Sequence, residues 1–249
     1  SSILKREEPI VQELANEYLT EQGITILNDV TLNSVSNDGN KPVITANGQN
    51  YTFDAVLYAT GRKPNTANIG LENTDITTNE RGAIVVNDTC ESSVPGVYAV
   101  GDVNGGPQFT YISLDDFRIV FGALTGNGQY TLKDRKNIPY TTFLTPPLAR
   151  VGLTEEDAIN KGYTVKTKEM LVATMPRAHV NDYLKGAFKI VVNEENNLIL
   201  GATLYSQGAE ELINLIKMAM DNNIPYTYFK NQIFTHPTMA ENLNDLCNF

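Results

Sequence analysis

The sequence predicts an α/β segment followed by a separate α+β unit that contains an antiparallel sheet and helices. Three observations support this fold class. The amino-terminal part combines one helical pattern with short apolar strands, residues 125–138 are polar enough to form a linker, and a different pattern begins at Tyr140. A chain of 249 residues is also long enough for two units.

The first predicted element is a helix that begins at Pro9. Proline suits the first turn of a helix because its missing N–H needs no partner there. The apolar residues Ile10, Leu14 and Tyr18 then recur at helical spacing, and Gly23 is a residue type that ends helices. We therefore expect one amphipathic helix between Pro9 and Gly23.

Short strands are predicted after this helix. Residues 24–27 form an apolar run, and the alternating residues from 30 to 53 predict hairpins with turns at 38–39 and 47–48. Residues 55–59 read Ala-Val-Leu-Tyr-Ala, a continuous apolar run that predicts a buried strand.

The next stretch is predicted to connect these strands to the carboxyl-terminal unit. It contains one strand at 83–86 and a second apolar run at 97–100, which predicts another buried strand and ends in Gly101-Asp102. A glycine-rich loop then leads into a helix over about 113–124.

The carboxyl-terminal unit has the order of strands and helices that is typical of an α+β domain. The predicted elements are strands near 141–144, 165–171, 188–192 and 198–205, followed by helices at 209–221 and 238–246.

The composition is that of a globular chain and argues against several classes of function. Hydrophobic residues make up 41%, charged residues 19%, and the net charge is −10. Nucleic acids and anionic membranes require a basic face, so neither is an expected partner. No apolar run approaches the ~20 residues of a membrane span. The two cysteines, Cys90 and Cys247, are expected to be unpaired thiols, and the expected compartment is the reducing cytoplasm.

His236 is the first candidate for chemistry. It precedes the last predicted helix, where Thr238 and Glu241 have the spacing of a capping box. One interpretation makes His236 an ordinary loop residue beside that cap. The other makes it an acid/base catalyst oriented by Glu241, because imidazole titrates near neutral pH. The spacing alone leaves both open.

Two further candidates follow the predicted buried strands. Gly101-Asp102 places a carboxylate at the carboxyl edge of a sheet, where α/β folds bind ligands; the alternative is an Asp that caps a turn. Gly61 permits close approach of a ligand and Arg62 can bind a phosphate or a carboxylate; the alternative is an exposed Arg at a strand exit. His179 is expected at the surface.

Four motifs, taken in order, resemble those of the flavoprotein disulfide reductases, the family of glutathione reductase, dihydrolipoamide dehydrogenase and mercuric reductase. The motifs are Ala-Thr-Gly-Arg-Lys-Pro-Asn at 59–65, Tyr-Ala-Val-Gly-Asp at 98–102, Phe-Leu-Thr-Pro-Pro at 143–147 with Val-Gly-Leu-Thr at 151–154, and His-Pro-Thr at 236–238 with Glu241. Residues 108–118 and 239–246 are most similar to a bacterial subgroup linked to resistance to reactive chlorine species, which includes hypothiocyanite reductases.

The resemblance implies that the chain is the carboxyl-terminal half of such an enzyme. The family's two G-x-G-x-x-G loops and its C-x4-C pair are absent from the sequence, which starts with Ser1 rather than Met. Residues 1–64 would be the last part of the NAD(P)H-binding domain, residues 65–138 the returning FAD-domain segment with a linker, and residues 139–249 the dimerisation domain.

The resemblance also implies roles for individual residues. The residues that would contact FAD are Gly101, Asp102, Gln108, Phe109 and Thr110, and those that would line the NAD(P)H cleft are Gly61 and Arg62. His236 and Glu241 would form an acid/base pair that serves the cysteines of the other subunit in a homodimer. Lys5 and Arg6 favour NADPH over NADH.

The implied activity is electron transfer from NAD(P)H through FAD and a cysteine pair to an oxidised sulfur or hypohalous small molecule. The 249 residues alone are expected to be inactive and to hold neither cofactor nor metal. The alternatives are a non-catalytic dimerisation module and dihydrolipoamide dehydrogenase. Mercuric reductase is disfavoured because its tail uses a vicinal cysteine pair, whereas Cys247 has no cysteine next to it.

Overall fold

The computed structural model describes residues 2–249, and Ser1, with which the predicted domain 1–64 starts, lies outside the described residues. The chain forms two compact units. Among the described residues, the first consists of residues 2–52 and 137–249, and the second of residues 53–136. The predicted domain limits at 64 and 138 stay predictions.

An amphipathic helix begins the first unit, as predicted. Helix α1 spans Pro9–Glu21 and buries one face that includes Val11 and Tyr18. These side chains pack against Leu148 and Tyr205 in a small apolar cluster. Burial of this face supplies most of the stability of such a helix, because an isolated helix of this length is marginal in water.

A three-stranded antiparallel sheet follows the helix. Its strands β1 (Leu32–Asn37), β2 (Pro42–Ala46) and β3 (Gln49–Thr52) pair in chain order. The turns predicted at 38–39 and 47–48 join them, so the sequence correctly predicted these two hairpins.

A five-stranded antiparallel sheet organises the rest of the first unit. Its strands, in the order β4-β5-β8-β7-β6, are β4 (Tyr140–Thr142), β5 (Leu148–Gly152), β8 (Ile199–Tyr205), β7 (Ala187–Asn193) and β6 (Val165–Leu171). Every residue of β7 is buried. The main core of the unit therefore lies against the central strands of this sheet.

Several helices complete the two units. They are α2 (Thr110–Thr125) in the second unit and, in the first unit, α3 (Glu155–Asn160), α4 (Pro176–Val180), α5 (Ala209–Asp221), α6 (Tyr226–Asn231) and α7 (Asn242–Leu246). Helix α5 buries Ile213 and Ile216 in the main core. None of the helices in residues 2–249 combines the length and the apolar character needed to cross a membrane.

An ion cluster around the buried Lys189 and Glu8 ties the start of α1 to the large sheet. The Nζ atom of Lys189 lies 3.0 Å from Glu8, 2.7 Å from Glu155 and 3.0 Å from Glu169. Lys189 is 5% exposed and Glu8 is 2% exposed. Burial opposes the charge on Lys189, but the three hydrogen-bonded carboxylates outweigh it and raise its pKa.

The second unit has little regular structure apart from α2. It contains short 3-10 turns at Leu71–Asn73, Gly101–Asn104 and Leu132–Asp134. Isolated bridges such as Thr78 to Ile84 replace longer strands.

Four of the strand predictions are wrong, because these residues do not form regular strands. Residues 24–27 and 55–59 are irregular, and Leu57 is 89% exposed. Residues 83–86 and 97–100 form only isolated bridges, and Val97 and Val100 are exposed rather than buried. An apolar run becomes a buried strand only where neighbouring strands satisfy its backbone groups, and no strand within residues 2–249 pairs with these four runs.

Some element limits also differ from the predictions. Helix α2 begins at Thr110 and not near 113. The last helix is restricted to Asn242–Leu246, because residues 238–241 form a separate hydrogen-bonded turn in front of it. Strand β5 was not predicted, since Arg150 and two preceding prolines interrupt its apolar pattern.

Candidate functional site

A histidine and a glutamate lie paired in the turn that precedes α7. Nδ1 of His236 is 2.8 Å from Oε2 of Glu241. The other carboxylate oxygen, Oε1, accepts the Thr238 N–H at 3.0 Å, and Thr238 Oγ1 accepts the Glu241 N–H at 3.2 Å. One carboxylate therefore closes the hydrogen-bonded turn with Thr238 and contacts the imidazole, although the predicted capping box does not cap α7, whose N-cap is Glu241.

The electrostatics of the pair favour an ionised Glu241. The hydrogen bond from His236 is the largest influence and lowers the pKa of the carboxyl group, and the Thr238 N–H adds to the effect. The His236 side chain is 69% exposed. The ring is thus held by an anion on one side while most of its surface remains open to a molecule outside the unit.

The turn that carries the pair is anchored from below by α7. The buried Asn242 side chain donates to the carbonyl oxygens of Thr238 at 3.2 Å and Met239 at 3.0 Å. Leu243 and Leu246 are buried in the main core. The sequence did not predict a role for Asn242; the only indication was that an amide residue directly follows Glu241.

Residues from two distant predicted motifs meet in the second unit. Nη1 of Arg62 lies 3.7 Å from Oδ2 of Asp102, and both side chains are substantially exposed. A cavity of about 420 Å³ is lined by Arg62, Lys63, Pro64, Asn65, Asp102, Val103 and Gln108. An exposed pair of this kind contributes little to stability, so both groups remain available to a ligand.

The remaining predicted ligand residues lie around this cavity or at the start of α2. Gly61 is exposed and has a φ of +119°. Phe109 is the N-cap residue of α2, its side chain makes no capping hydrogen bond, and its ring stacks on Tyr111 with centroids 5.1 Å apart. Thr110 is exposed as the first helical residue.

Close packing fixes the turn that carries Asp102. Gly101 has a φ of +71°, and a Cβ atom at this position would lie 2.5 Å from Oγ of Ser113 in α2. A larger residue would meet both backbone strain and this contact. The turn is thus seated directly on the first part of α2.

A buried carboxylate that the sequence did not predict as functional lies beneath the same turn. Asp116 is fully buried, and its Oδ2 accepts the Gly101 N–H at 2.7 Å and the Asn104 side-chain amide at 2.9 Å. Its Oδ1 pairs with Arg135, which also binds Asp115 at 2.8 Å. Burial alone would lower the pKa of Arg135, but the two aspartates outweigh it and the pKa is raised.

The other residues considered from the sequence, Lys5, Arg6 and His179, lie in the first unit. Lys5 and Arg6 are exposed and line a separate cavity of about 720 Å³ at the start of α1. His179 is a surface residue, as predicted, with a ring nitrogen 2.8 Å from the Ala173 carbonyl oxygen. Within residues 2–249, no group of three or more His, Cys, Asp and Glu side chains is arranged to hold a metal ion.

Both cysteines are buried and unpaired, as predicted. Burial raises the pKa of the Cys90 thiol to about 11 and that of the Cys247 thiol to about 12. A thiolate is the reactive form, so neither cysteine is a candidate nucleophile.

Comparisons with known proteins cover almost the whole chain. Residues 1–116 match the family described as pyridine nucleotide-disulphide oxidoreductase, and residues 138–247 match the dimerisation domain of the same family.

The chain is similar to proteins of known class. It is 42% identical, over 246 residues, to a probable pyridine nucleotide-disulfide oxidoreductase, RclA, of Escherichia coli, covering 99% of this chain and 56% of the relative. It is 35% identical to a mercuric reductase of Staphylococcus aureus, covering 97% of this chain and 45% of that protein.

A solved structure of the Escherichia coli relative, described as an HOCl-induced flavoprotein disulfide reductase, superposes with a TM-score of 0.95 at 42% identity. The match covers 99% of this chain and 57% of the solved chain. The chain therefore spans about half the length of the relatives that it matches.

Proposed function

The chain belongs to the pyridine nucleotide-disulphide oxidoreductase family, and on that premise we propose that it forms the carboxyl-terminal part of an FAD- and NAD(P)H-dependent oxidoreductase. The proposed substrate is a small oxidised molecule of the disulfide or hypohalous type. The observation that carries the proposal is the exposed His236 ring paired with the partly buried Glu241, which lies in the part of the chain that matches the dimerisation domain.

The groups of the second unit fit FAD. The half-exposed carboxylate of Asp102 can accept hydrogen bonds from the hydroxyl groups of a ribityl chain. Helix α2 begins at Thr110 after an N-cap phenylalanine that cannot accept its N–H groups, and the amino-terminal end of a helix favours negative charge. FAD, when bound, supplies the two-electron chemistry between NAD(P)H and a disulfide. Arg62 and Lys63 provide positive charge that suits the phosphates of NAD(P)H.

The proposed role of His236 is to hold and release a proton at Nε2. Because the Glu241 carboxylate accepts at Nδ1, the neutral imidazole keeps its proton there and leaves Nε2 as the basic atom. Once Nε2 is protonated, the same carboxylate stabilises the positive ring. Nε2 can then return the proton to a thiolate or oxyanion that leaves the substrate.

A homodimer would supply the partner for this exposed ring. The family match of residues 138–247 is to a dimerisation domain. Ile233, three positions before His236, is 95% exposed. Apolar side chains beside a polar site are typical of a surface that another protein covers. We therefore propose that His236 serves the cysteine pair of the partner subunit.

The descriptions of the relatives support an oxidised sulfur substrate for this chain. The Escherichia coli relative is described as HOCl-induced and as a disulfide reductase. Mercuric reductases are also similar to the chain. However, Cys247 is buried and has no adjacent cysteine, so these residues provide no vicinal thiol pair for a mercuric ion.

The test is a chimera in which the amino-terminal part of the Escherichia coli relative precedes residue 1 of this chain. The wild-type chimera should retain yellow flavin, whereas a mere dimerisation module would not. His236→Gln should leave flavin content and NAD(P)H-dependent flavin reduction unchanged and lower turnover of a disulfide or hypohalous substrate about 100-fold or more.

His179→Gln is the matched control, because it removes the other histidine of the chain from an exposed position. It should leave turnover unchanged. A His236→Gln chimera that turns over substrate at the wild-type rate would contradict the catalytic assignment.

A further inference from the structure

We propose that Asp116, held by Arg135, is a positioning residue that sets the cofactor-binding turn Gly101–Asn104 for FAD. The inference rests on the proposed function, since it assumes that this turn binds FAD through Asp102. Asp116 is fully buried in the second unit and would not touch the cofactor itself. It acts through the backbone and side chain of the residues that flank Asp102.

Every described partner of the Asp116 carboxylate is a donor. Oδ2 accepts the Gly101 N–H and the Asn104 amide, and Oδ1 accepts from Nη2 of Arg135. Hydrogen bonds to a buried ionised group are stronger than those between neutral groups. A buried carboxylate also needs a compensating charge, which Arg135 supplies.

These hydrogen bonds hold both ends of the turn Gly101–Asn104. Gly101 is its first residue and Asn104 its last, and Asp102 lies between them. The Asn104 side chain extends the linkage, because its Oδ1 accepts the Gly106 N–H at 3.0 Å. The orientation of the exposed Asp102 carboxylate therefore depends on a carboxylate one layer deeper in the unit.

An amide cannot replace this carboxylate. Asparagine has the same shape as aspartate, but its amide group donates where the structure offers only donors. Whichever way the substituted amide were turned, its NH2 group would face either Arg135 or the Gly101 and Asn104 donors. Asp116→Asn should therefore displace the turn without changing side-chain volume.

The test compares Asp116→Asn with Asp115→Asn in the chimera. Asp115 pairs with the same arginine and lies one position earlier on α2, and its described contacts do not include the turn. The readouts are the dissociation constant for FAD, the visible absorption spectrum of bound flavin, and the thermal midpoint.

Asp116→Asn should weaken FAD binding about tenfold or more and shift the flavin spectrum. Asp115→Asn should change the affinity less than about threefold. Wild-type affinity in Asp116→Asn, or equal weakening in both variants, would overturn the positioning role. If Asp116→Asn does not fold, Asn104→Ser is the second test, because it removes one of the two links between Asp116 and the turn. Weaker FAD binding in this variant supports the positioning role of Asp116, and unchanged affinity overturns it.

The two proposals fail in different ways. If the wild-type chimera does not bind FAD, or binds it independently of Asp102 in an Asp102→Asn variant, the proposed function loses its cofactor site. If FAD binding depends on Asp102 and is unaffected by Asp116→Asn, only the positioning role fails.

Discussion

Oε2 of Glu241 lies 2.8 Å from Nδ1 of His236, and the same carboxylate accepts the Thr238 N–H through Oε1. A local hydrogen-bonded turn thus fixes the direction of an exposed imidazole. The two residues lie five positions apart in one turn, which Asn242 of α7 also holds through the Thr238 and Met239 carbonyl oxygens.

The Glu241→Gln substitution should keep the hydrogen bond to the Thr238 N–H while changing the tautomer of His236. The glutamine carbonyl can still accept the Thr238 N–H, but its NH2 group donates to Nδ1 and so moves the ring proton to Nε2. We expect turnover of the chimera to fall about tenfold or more, with a loss of stability below about 1 kcal/mol.

Nitrogen NMR of the His236 ring checks this prediction independently of activity. The wild-type ring should be protonated at Nδ1 in its neutral form and the Glu241→Gln ring at Nε2. Identical tautomers in the two proteins would show that Glu241 does not orient the ring.

The Glu241–His236 pair should also respond to acid. The pKa of Glu241 is lowered in the folded chain from its ordinary value of 4.5, chiefly by the His236 hydrogen bond. A depressed folded pKa gives stability that is present above the unfolded pKa and is lost as the pH falls through the folded pKa.

Carbon NMR of the Glu241 carboxyl group should therefore give a midpoint below 4.5. His236→Ala should move it upward, although the Thr238 N–H still holds it somewhat low. A wild-type midpoint at or above 4.5 would contradict the geometry of the pair.

Lys189→Met tests the ion cluster between α1 and the large sheet. Removal of the cation leaves Glu8 buried without its partner, which costs about 3–5 kcal/mol. Urea unfolding followed by circular dichroism measures the loss. Lys185→Met is the control, because Lys185 pairs with Glu21 at the surface and should cost no more than about 1 kcal/mol. Similar losses of unfolding free energy in both variants would mean that the cluster stabilises the chain no more than a surface ion pair does.

The thiols of Cys90 and Cys247 should resist alkylation in the native chain. Their pKa values of about 11 and about 12 leave almost no thiolate at pH 8, and both side chains are fully buried. Mass spectrometry after iodoacetamide treatment should find neither residue modified until the chain is unfolded in urea. Rapid native labelling of either cysteine would place it at an accessible site.

The sequence predicted best those elements whose pattern needs only local information. Strand β6 and helix α5 match the predicted limits 165–171 and 209–221. The strand predicted at residues 55–59 did not form, because a buried strand also needs contacts from outside its own run. Their apolar character indicates a buried strand, but burial depends on neighbouring strands that the described residues do not provide.

The residues of the candidate site likewise differ in whether local sequence was enough to predict them. His236 and Glu241 could be paired from the spacing of a capping box, since both lie in one turn. Asp116 could not be identified, because an aspartate inside a helical pattern ordinarily faces solvent. Its role depends on Gly101 and Arg135, which approach it only in the folded unit.

Subunit complementation in the chimera tests the central claim most directly. One parent carries His236→Gln and the other lacks the cysteine pair of the amino-terminal part, so each homodimer alone should be inactive. If His236 serves the partner subunit, mixed dimers contain one intact site, and co-expression should restore about a quarter of wild-type turnover. If the mixture stays as inactive as its parents although mixed dimers form, His236 does not act across the dimer.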